Sequence, residues 1–411
     1  MTCVTEVLGL HVYVMKQHRE NEQHGPLADA RRVVIKIGTN VVTGGTSEFS
    51  TAQVEPLARS MARLKREGRQ VVLISSGAVG LGAGRLKLDR ARLRDLATRQ
   101  ACAAVGQSLL MHAYEQLFGA QDVAIAQVLL TEDDFMDWRR HLNLRRTIEK
   151  LLKLGVLPII NENDTVSTVE LEYAKSEGAS RTFGDNDRLA ALVMSKLDAD
   201  ALIILTNVDG LLHRTPNRDG KSASDEVFEV VPLVTEINAS VRSMAQGYTA
   251  GGRGGMTTKL EAAALAMQTG GLAVIANGTK SDTLDRLFAG EEIGTAFVSG
   301  ARLKGKRRWI AYAAGVRGRL VVNAGARAAI MQGKASLLAS GVVRVEDKFE
   351  SLDVVSIVDS NGREFARGMA NCNSTEAEKL IRSQVASAAS KRNEAKARVL
   401  VTRNNIVLVD N

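Results

Sequence analysis

Two lysines and two clusters of acidic and amide side chains are the residues in this sequence best suited to chemistry. Lys36 lies inside an apolar run, VVIKIG, two residues before Gly38. An ammonium there is costly to bury without an anionic partner. The bland reading is a lysine snorkelling from a strand end. The functional reading is a cation aimed across the sheet end at phosphate, with Gly38 letting the backbone approach an anion. Lys259 follows a glycine-rich stretch, GGRGGMTTKLEAAALA (251–266), that opens directly into a helical pattern, with Thr257 and Thr258 in the first turn. Free N–H groups and the dipole at such a start favour phosphate. A lysine there is disfavoured unless an anion compensates. It is not a Walker A loop, because the lysine follows the threonines.

The two acidic and amide clusters are NEND (161–164) and GDND (184–187). Caps and turns explain some of these residues, but Asn and Asp are denser here than capping requires. An amino-acid substrate needs an anion beside its ammonium and amide or hydroxyl donors beside its carboxylates. Asp164, Asn186 and the loop carrying Ser76 can supply them. Ser75-Ser76-Gly77-Ala78 has no G-x-S-x-G context, and the chain has only six histidines, so acyl hydrolysis is a poor alternative. Phosphoryl transfer to a carboxylate needs no strong base, because the attacking oxygen is already ionised. The protein must position two anions and offset charge on the transferring group. Two lysines, glycine-loop amides and a Mg2+ held mainly by nucleotide phosphates meet that requirement.

The elements that must carry these groups alternate in type. Apolar strand-like runs occur at 31–38, 70–77, 122–129, 156–164, 201–210 and 271–278, with helical patterns at 50–68, near 97–118, near 141–154 and at 257–270. The run at 70–77 is expected to lead into a small-residue loop. Continuous apolar strands separated by helices indicate an α/β fold whose mainly parallel central sheet is covered on both faces. Ligands in such folds sit beyond the carboxyl ends of the strands. Lys36–Gly38, Ser75–Gly77, Asn161–Asp164 and Thr206–Gly210 all fall at such ends.

Composition narrows the class further. Hydrophobic residues make up 45% and charged residues 24%, as in soluble globular proteins. No run is long enough to cross a bilayer, the N-terminus lacks the pattern of a secretory leader, and three scattered cysteines suggest no disulfide framework. A cytoplasmic protein without a membrane partner is expected. Net charge is +8 overall, and the segment 301–411 alone holds 20 Lys/Arg against 10 Asp/Glu. The texture also changes beyond Gly300, to short β-type segments with glycine and Asn-Gly turns. The expected organisation is a flexible extension (1–30), a catalytic domain (31–300), a linker (301–314), a small β pseudo-barrel (315–395) and a tail or edge strand (396–411).

Taken together, VVIKIGTNVVT, VVLISSGAVGLG, ACAAVGQSLL, LPIINENDTVST, FGDNDRLAALV and GRGGMTTKLEAA resemble the amino-acid kinase family, most closely its glutamate 5-kinase branch. The C-terminal part resembles the PUA domain, a pseudo-barrel found also in RNA-modifying proteins. The resemblance implies ATP-dependent phosphorylation of the side-chain carboxylate of L-glutamate, giving L-glutamyl 5-phosphate and ADP in the first step of proline biosynthesis. By it, Lys36 and Lys259 contact ATP phosphates and Asp185 orients them. Ser76, Asp164 and Asn186 bind glutamate. Lys36, Gly38, Thr206, Asn207, Arg253, Gly254, Gly255, Met256, Thr257, Thr258 and Lys259 line the nucleotide site, with Mg2+ as companion ion. It also implies feedback inhibition by L-proline, a homo-oligomer and weak RNA contact through the PUA-like domain.

This sequence departs from the family pattern in three places. Asn207 replaces a common Asp, residues 170–183 lengthen the loop between the acidic motifs, and Arg253 replaces a threonine of some members. The rival readings are a kinase for another small acid, such as N-acetylglutamate, aspartate, uridylate or carbamate, a catalytically dead regulatory member, and an RNA-binding protein acting through the basic C-terminal part. Aromatics are only 4%, so no stacking platform for RNA is evident.

Overall fold

The structure is a computed structural model, and it describes residues 27–89, 91–131, 133–136, 138–166, 186–215, 227–245, 255–298, 310, 316–333, 335–387 and 399–409. Its first sheet is built from the apolar runs. β1 (Arg32–Ile37), β2 (Gln70–Ser75), β3 (Ile125–Leu130), β4 (Leu157–Glu162), β5 (Ala201–Thr206) and β9 (Leu272–Asn277) pair in parallel. With β8 (Leu233–Val234) and β10 (Thr295–Phe297) they form an eight-stranded sheet in the order β3-β4-β2-β1-β5-β9-β10-β8, in which β10 runs antiparallel to β9. A small antiparallel pair, β6 (Leu212–Thr215) and β7 (Val227–Val230), lies outside it.

Side chains alternate across a strand, and the two cores follow that parity. Val34, Val72, Ile74, Ile160, Leu202 and Ile204 enter one core. Val33, Ile35, Val71, Leu73, Ile159 and Ile203 enter the other. The first face packs α7 (Asn186–Lys196) and α9 (Met256–Gln268). The second packs α2 (Thr51–Arg66) and α4 (Leu96–Gly119). Lys36 shares the parity of Val34, so its side chain emerges on the side of α7 and α9.

The expected loop after Ser75 is instead a helix, α3 (Ala78–Arg85). Its three glycines lower helix propensity, but they permit a very close crossing with α4. A Cβ at Gly82 would lie 1.8 Å from the carbonyl oxygen of Cys102, and one at Gly106 would lie 1.7 Å from that of Ala78. Asp95 caps α4, accepting from the Thr98 amide at 2.8 Å. Further along, Tyr114 packs edge-on to Phe49 with 5.6 Å between ring centroids. The remaining helices of this half that matter below are α1 (Thr39–Thr43), α5 (Asp133–Met136), α6 (Trp138–Lys153), α8 (Ala239–Met244) and α10 (Thr283–Phe288).

The C-terminal part folds as a curled six-stranded half-barrel, in the order β12-β16-β15-β14-β11-β13. These strands are β11 (Val316–Val322), β12 (Leu337–Leu338), β13 (Val342–Glu346), β14 (Val354–Val358), β15 (Glu364–Ala370) and β16 (Val399–Leu408), accompanied by α11 (Ala324–Met331) and α12 (Ser374–Ser387). The reading of 396–411 as a tail or edge strand is corrected here. β16 lies between β12 and β15 and bonds to both. Its buried positions fall in two apolar segments, Leu400–Val401 and Ile406–Val407, while Leu408 at the end is exposed. Of the expected linker 301–314 only Ile310 is described. It is fully buried and joins Val354, Met369 and Val407 in the core on the Lys36 side of the first sheet.

Candidate active site

The site forms where β1, β2, β4 and β5 end and α7 and α9 begin. Lys36 and Lys259 are 5% and 6% exposed, so each ammonium requires a partner. Both find the same one. Lys36 Nζ lies 2.7 Å from Asp187 Oδ1, and Lys259 Nζ donates to Asp187 Oδ2 at 3.1 Å. The Thr258 hydroxyl is also within 3.1 Å of Oδ2 and donates to the Gly255 carbonyl at 2.9 Å. Burial alone would raise the Asp187 pKa, but Lys36 and then Lys259 outweigh it and hold the carboxyl at about 2. Asp187 sits in the first turn of α7, where the helix dipole also favours a negative charge. Two ammoniums thus converge on one carboxylate in a nearly dry place, where Coulomb interactions are strong.

Asp185, expected to orient the two lysines, lies outside the described residues, as do Arg253 and Gly254; the carboxylate described between the lysines is that of Asp187. GDND contains both carboxylates, and spacing alone does not rank them. The signal that could have found Asp187 is its place one residue inside a helix packed on the Lys36 face.

Asn186, the neighbour of Asp187, is directed to the other side of the site. Its amide nitrogen lies 3.0 Å from the Ser75 carbonyl, 2.9 Å from Ser76 Oγ and 3.0 Å from Asn161 Oδ1. Asn161 in turn donates to Gln107 Oε1 at 2.8 Å. Sequence reasoning singled out Ser76 and Asn186, and the structure brings them into contact. Sequence reasoning gave no individual role to Asn161 or to Gln107, which lies within the family-like stretch ACAAVGQSLL. Asp164 lies half-buried in the turn after β4.

The described residues expected to line a nucleotide site occupy three segments. Gly38 follows β1, and its amide donates to the Leu205 carbonyl at 3.0 Å. A Cβ there would come within 3.2 Å of that oxygen and 3.7 Å of Lys36 Nζ. Thr206 closes β5 and is buried, whereas Asn207 just beyond it is exposed. Gly255 caps α9 in extended conformation, with Met256 half-buried and Thr257 exposed in the first turn. The first amides of α9 have no acceptor within the helix, which makes its start suited to an anion beside Lys259. Positive charge and free amides on one side, with a neutral cluster of hydroxyl and amide groups on the other, can hold a phosphate chain against a small polar acceptor.

Comparison with known proteins identifies the family. The model of the amino acid kinase family matches residues 31–277, and that of the PUA domain matches residues 318–390. A glutamate 5-kinase of Myxococcus xanthus is 44% identical over 356 residues, covering 86% of this chain and 90% of that protein. One from Moorella thermoacetica is 44% identical over 354 residues, covering 86% and 89%. One from Gloeobacter violaceus is 43% identical over 352 residues, covering 85% and 91%. The chain therefore belongs to the amino acid kinase family, in its glutamate 5-kinase branch, and carries a C-terminal PUA domain.

Proposed function

We infer that this protein transfers the γ-phosphoryl group of ATP to the side-chain carboxylate of L-glutamate, opening proline biosynthesis. The observation that carries this reading is the Asp187 carboxylate held between Lys36 and Lys259, one residue from the Asn186, Ser76 and Asn161 cluster. A carboxylate oxygen of glutamate attacks the γ-phosphorus, the bond to the bridging oxygen breaks, and that oxygen leaves as part of ADP. No proton moves, so the site needs charge and alignment instead of a base.

Lys36 and Lys259 take the phosphate oxygens, and Asp187 keeps the two ammoniums apart and aimed. Gly38 and the first turn of α9, Gly255 to Thr258, admit the phosphate chain, with Arg253 and Gly254 preceding them. Thr206 and Asn207 border the nucleotide. Ser76, Asp164 and Asn186 hold glutamate, with Asp164 opposite its ammonium. Both Asp187 oxygens are already engaged by cations, which suits a Mg2+ carried on the nucleotide's own phosphates. When bound, that ion supplies neutralisation of phosphate charge. Proline binding at the glutamate site, a homo-oligomeric assembly, a cytoplasmic location and weak RNA contact through the PUA domain belong to the same reading.

The test is ADP release with ATP and Mg2+, trapping the acyl phosphate with hydroxylamine. L-Glutamate, N-acetylglutamate and aspartate are offered separately. Turnover with glutamate alone, abolished in Lys259→Ala, is the expected result. Turnover with another acid would reassign the substrate.

A further inference from the structure

We propose that Gln107 on α4 is a positioning residue that fixes the polarity of the glutamate site by acting as a hydrogen-bond acceptor. This rests on the reading of Ser76 and Asn186 as glutamate contacts.

The direction of the relay follows from one backbone atom. The Ser75 carbonyl can only accept, so the Asn186 atom 3.0 Å from it is the amide nitrogen. That same nitrogen faces Asn161 at 3.0 Å, so Asn161 must turn its oxygen toward it. Asn161 then presents its own nitrogen to Gln107 at 2.8 Å, and Gln107 must answer with Oε1. Each amide orientation is dictated by the one before it. Asn161 is 2% exposed, so its nitrogen has no recourse to water if Gln107 stops accepting.

The consequence for the ligand lies at the other end. With its nitrogen committed, Asn186 keeps Oδ1 buried and without a hydrogen-bond partner among the described residues. A buried acceptor in that state calls for a donor, and the donor on an amino-acid substrate is its ammonium. Three acceptors compete for the two Asn186 hydrogens. The Ser75 carbonyl and Asn161 Oδ1 can only accept, so the Ser76 hydroxyl is the group able to direct its own proton elsewhere, toward a substrate carboxylate. Gln107 thus keeps both an acceptor and a donor available without touching the substrate.

α4 can do this because of the residue before Gln107. Gly106 brings the helix to backbone distance of Ala78, two residues past Ser76. The same helix places Tyr114 two turns on, where its hydroxyl lies 2.8 Å from Ser75 Oγ. The rear of the glutamate site is therefore held from one helix at two points.

The test compares Gln107→Glu, which can only accept when ionised, with Gln107→Met, of similar length and without a strong acceptor, in the full chain. Asn186→Ala serves as the control for the site itself. Loss of the acceptor in Gln107→Met is expected to raise the KM for glutamate about 10- to 100-fold, with kcat and the KM for ATP much less affected. Gln107→Glu should stay within about threefold of the parent protein, since the bond it must accept is preserved. Equal KM increases in the two variants, or parallel losses in Tm, glutamate KM and ATP KM, would mark a packing role and overturn the proposal. A normal glutamate KM in Gln107→Met with a raised one in Asn186→Ala would overturn the relay alone. A normal KM in Asn186→Ala would overturn the site reading beneath it.

Discussion

Lys36 Nζ lies 2.7 Å from Asp187 Oδ1, and both side chains are nearly removed from solvent. The lysine belongs to the sheet and the aspartate to the helix that covers it, so one ion pair joins the two layers at the reacting end. With Lys259 on the other oxygen, the carboxylate ties together three elements that are far apart in sequence: β1, α7 and α9.

Replacing this carboxylate by an amide removes the counter-charge that it gives to two buried ammoniums. Asp187→Asn should lose about 3–5 kcal/mol of stability, as when one partner of a buried pair is removed, and most of its activity. Urea unfolding and the hydroxylamine assay check the two effects. The pH dependence has a definite sign. The Asp187 pKa, held at about 2 in the folded protein, lies below that of an unfolded aspartate. Its contribution is complete above roughly pH 4 and disappears as pH falls through about 2. The variant should lack that acid-sensitive component.

In the proposed reaction the two lysines act on charge that develops during transfer. Lys259→Met and Lys36→Met should each lower kcat by about 10²–10³. The glutamate KM should change little, because on this reading the glutamate contacts come from Ser76, Asp164 and Asn186. A variant that lost glutamate affinity in proportion to kcat would contradict this division of the site.

Glycine positions in α3 and α4 should respond in opposite ways to the same added methyl. A Cβ at Gly106 would meet the Ala78 carbonyl oxygen at 1.7 Å, so the helices must separate. Gly106→Ala should lose about 1–3 kcal/mol and raise the glutamate KM. Gly80 has nothing within 4 Å of such a Cβ. Gly80→Ala should be neutral or stabilising by up to about 1 kcal/mol, from helix propensity. Thermal unfolding of the pair is the check.

Much of this arrangement is legible in the sequence, and the gaps have physical causes. Lys36 was conspicuous because a cation in an apolar strand has few inexpensive explanations, and Lys259 because it contradicts the dipole of its own helix. α3 was read as a loop because AVGLGAGR has poor intrinsic propensity. Its stability comes from a crossing with α4 that local sequence does not encode. That Asp187 lies between the two lysines required knowing where α7 begins. Gln107 lies within the family-like stretch ACAAVGQSLL, but an amide on a half-exposed helix face is ordinary until its partner is located. β16 was underestimated because its two apolar segments, separated by Thr402–Asn405, resemble two short pieces more than one continuous strand.

A second titrating group lies away from the site. His141 on α6 is buried, and burial, then Lys196, then Arg145 lower its pKa to about 3. An unfolded histidine titrates near 6.5. Its neutral form therefore supports the fold fully above about pH 6.5, and that support declines as pH falls toward 3. His141→Gln should flatten the dependence of Tm on pH in this window, distinct from the lower Asp187 window. A parent protein whose Tm is constant from pH 7 to about 4 would exclude the effect.

Lys36 lies on β1, which has β2 on one side and β5 on the other, pairing with Ile74 and Ile204 in register. Amides in such a strand exchange with deuterium only when the sheet opens, not when loops fluctuate. The Lys36 ammonium is thus fastened to a strand held on both sides, and its alignment should persist from one turnover to the next while groups on connecting segments rearrange around it.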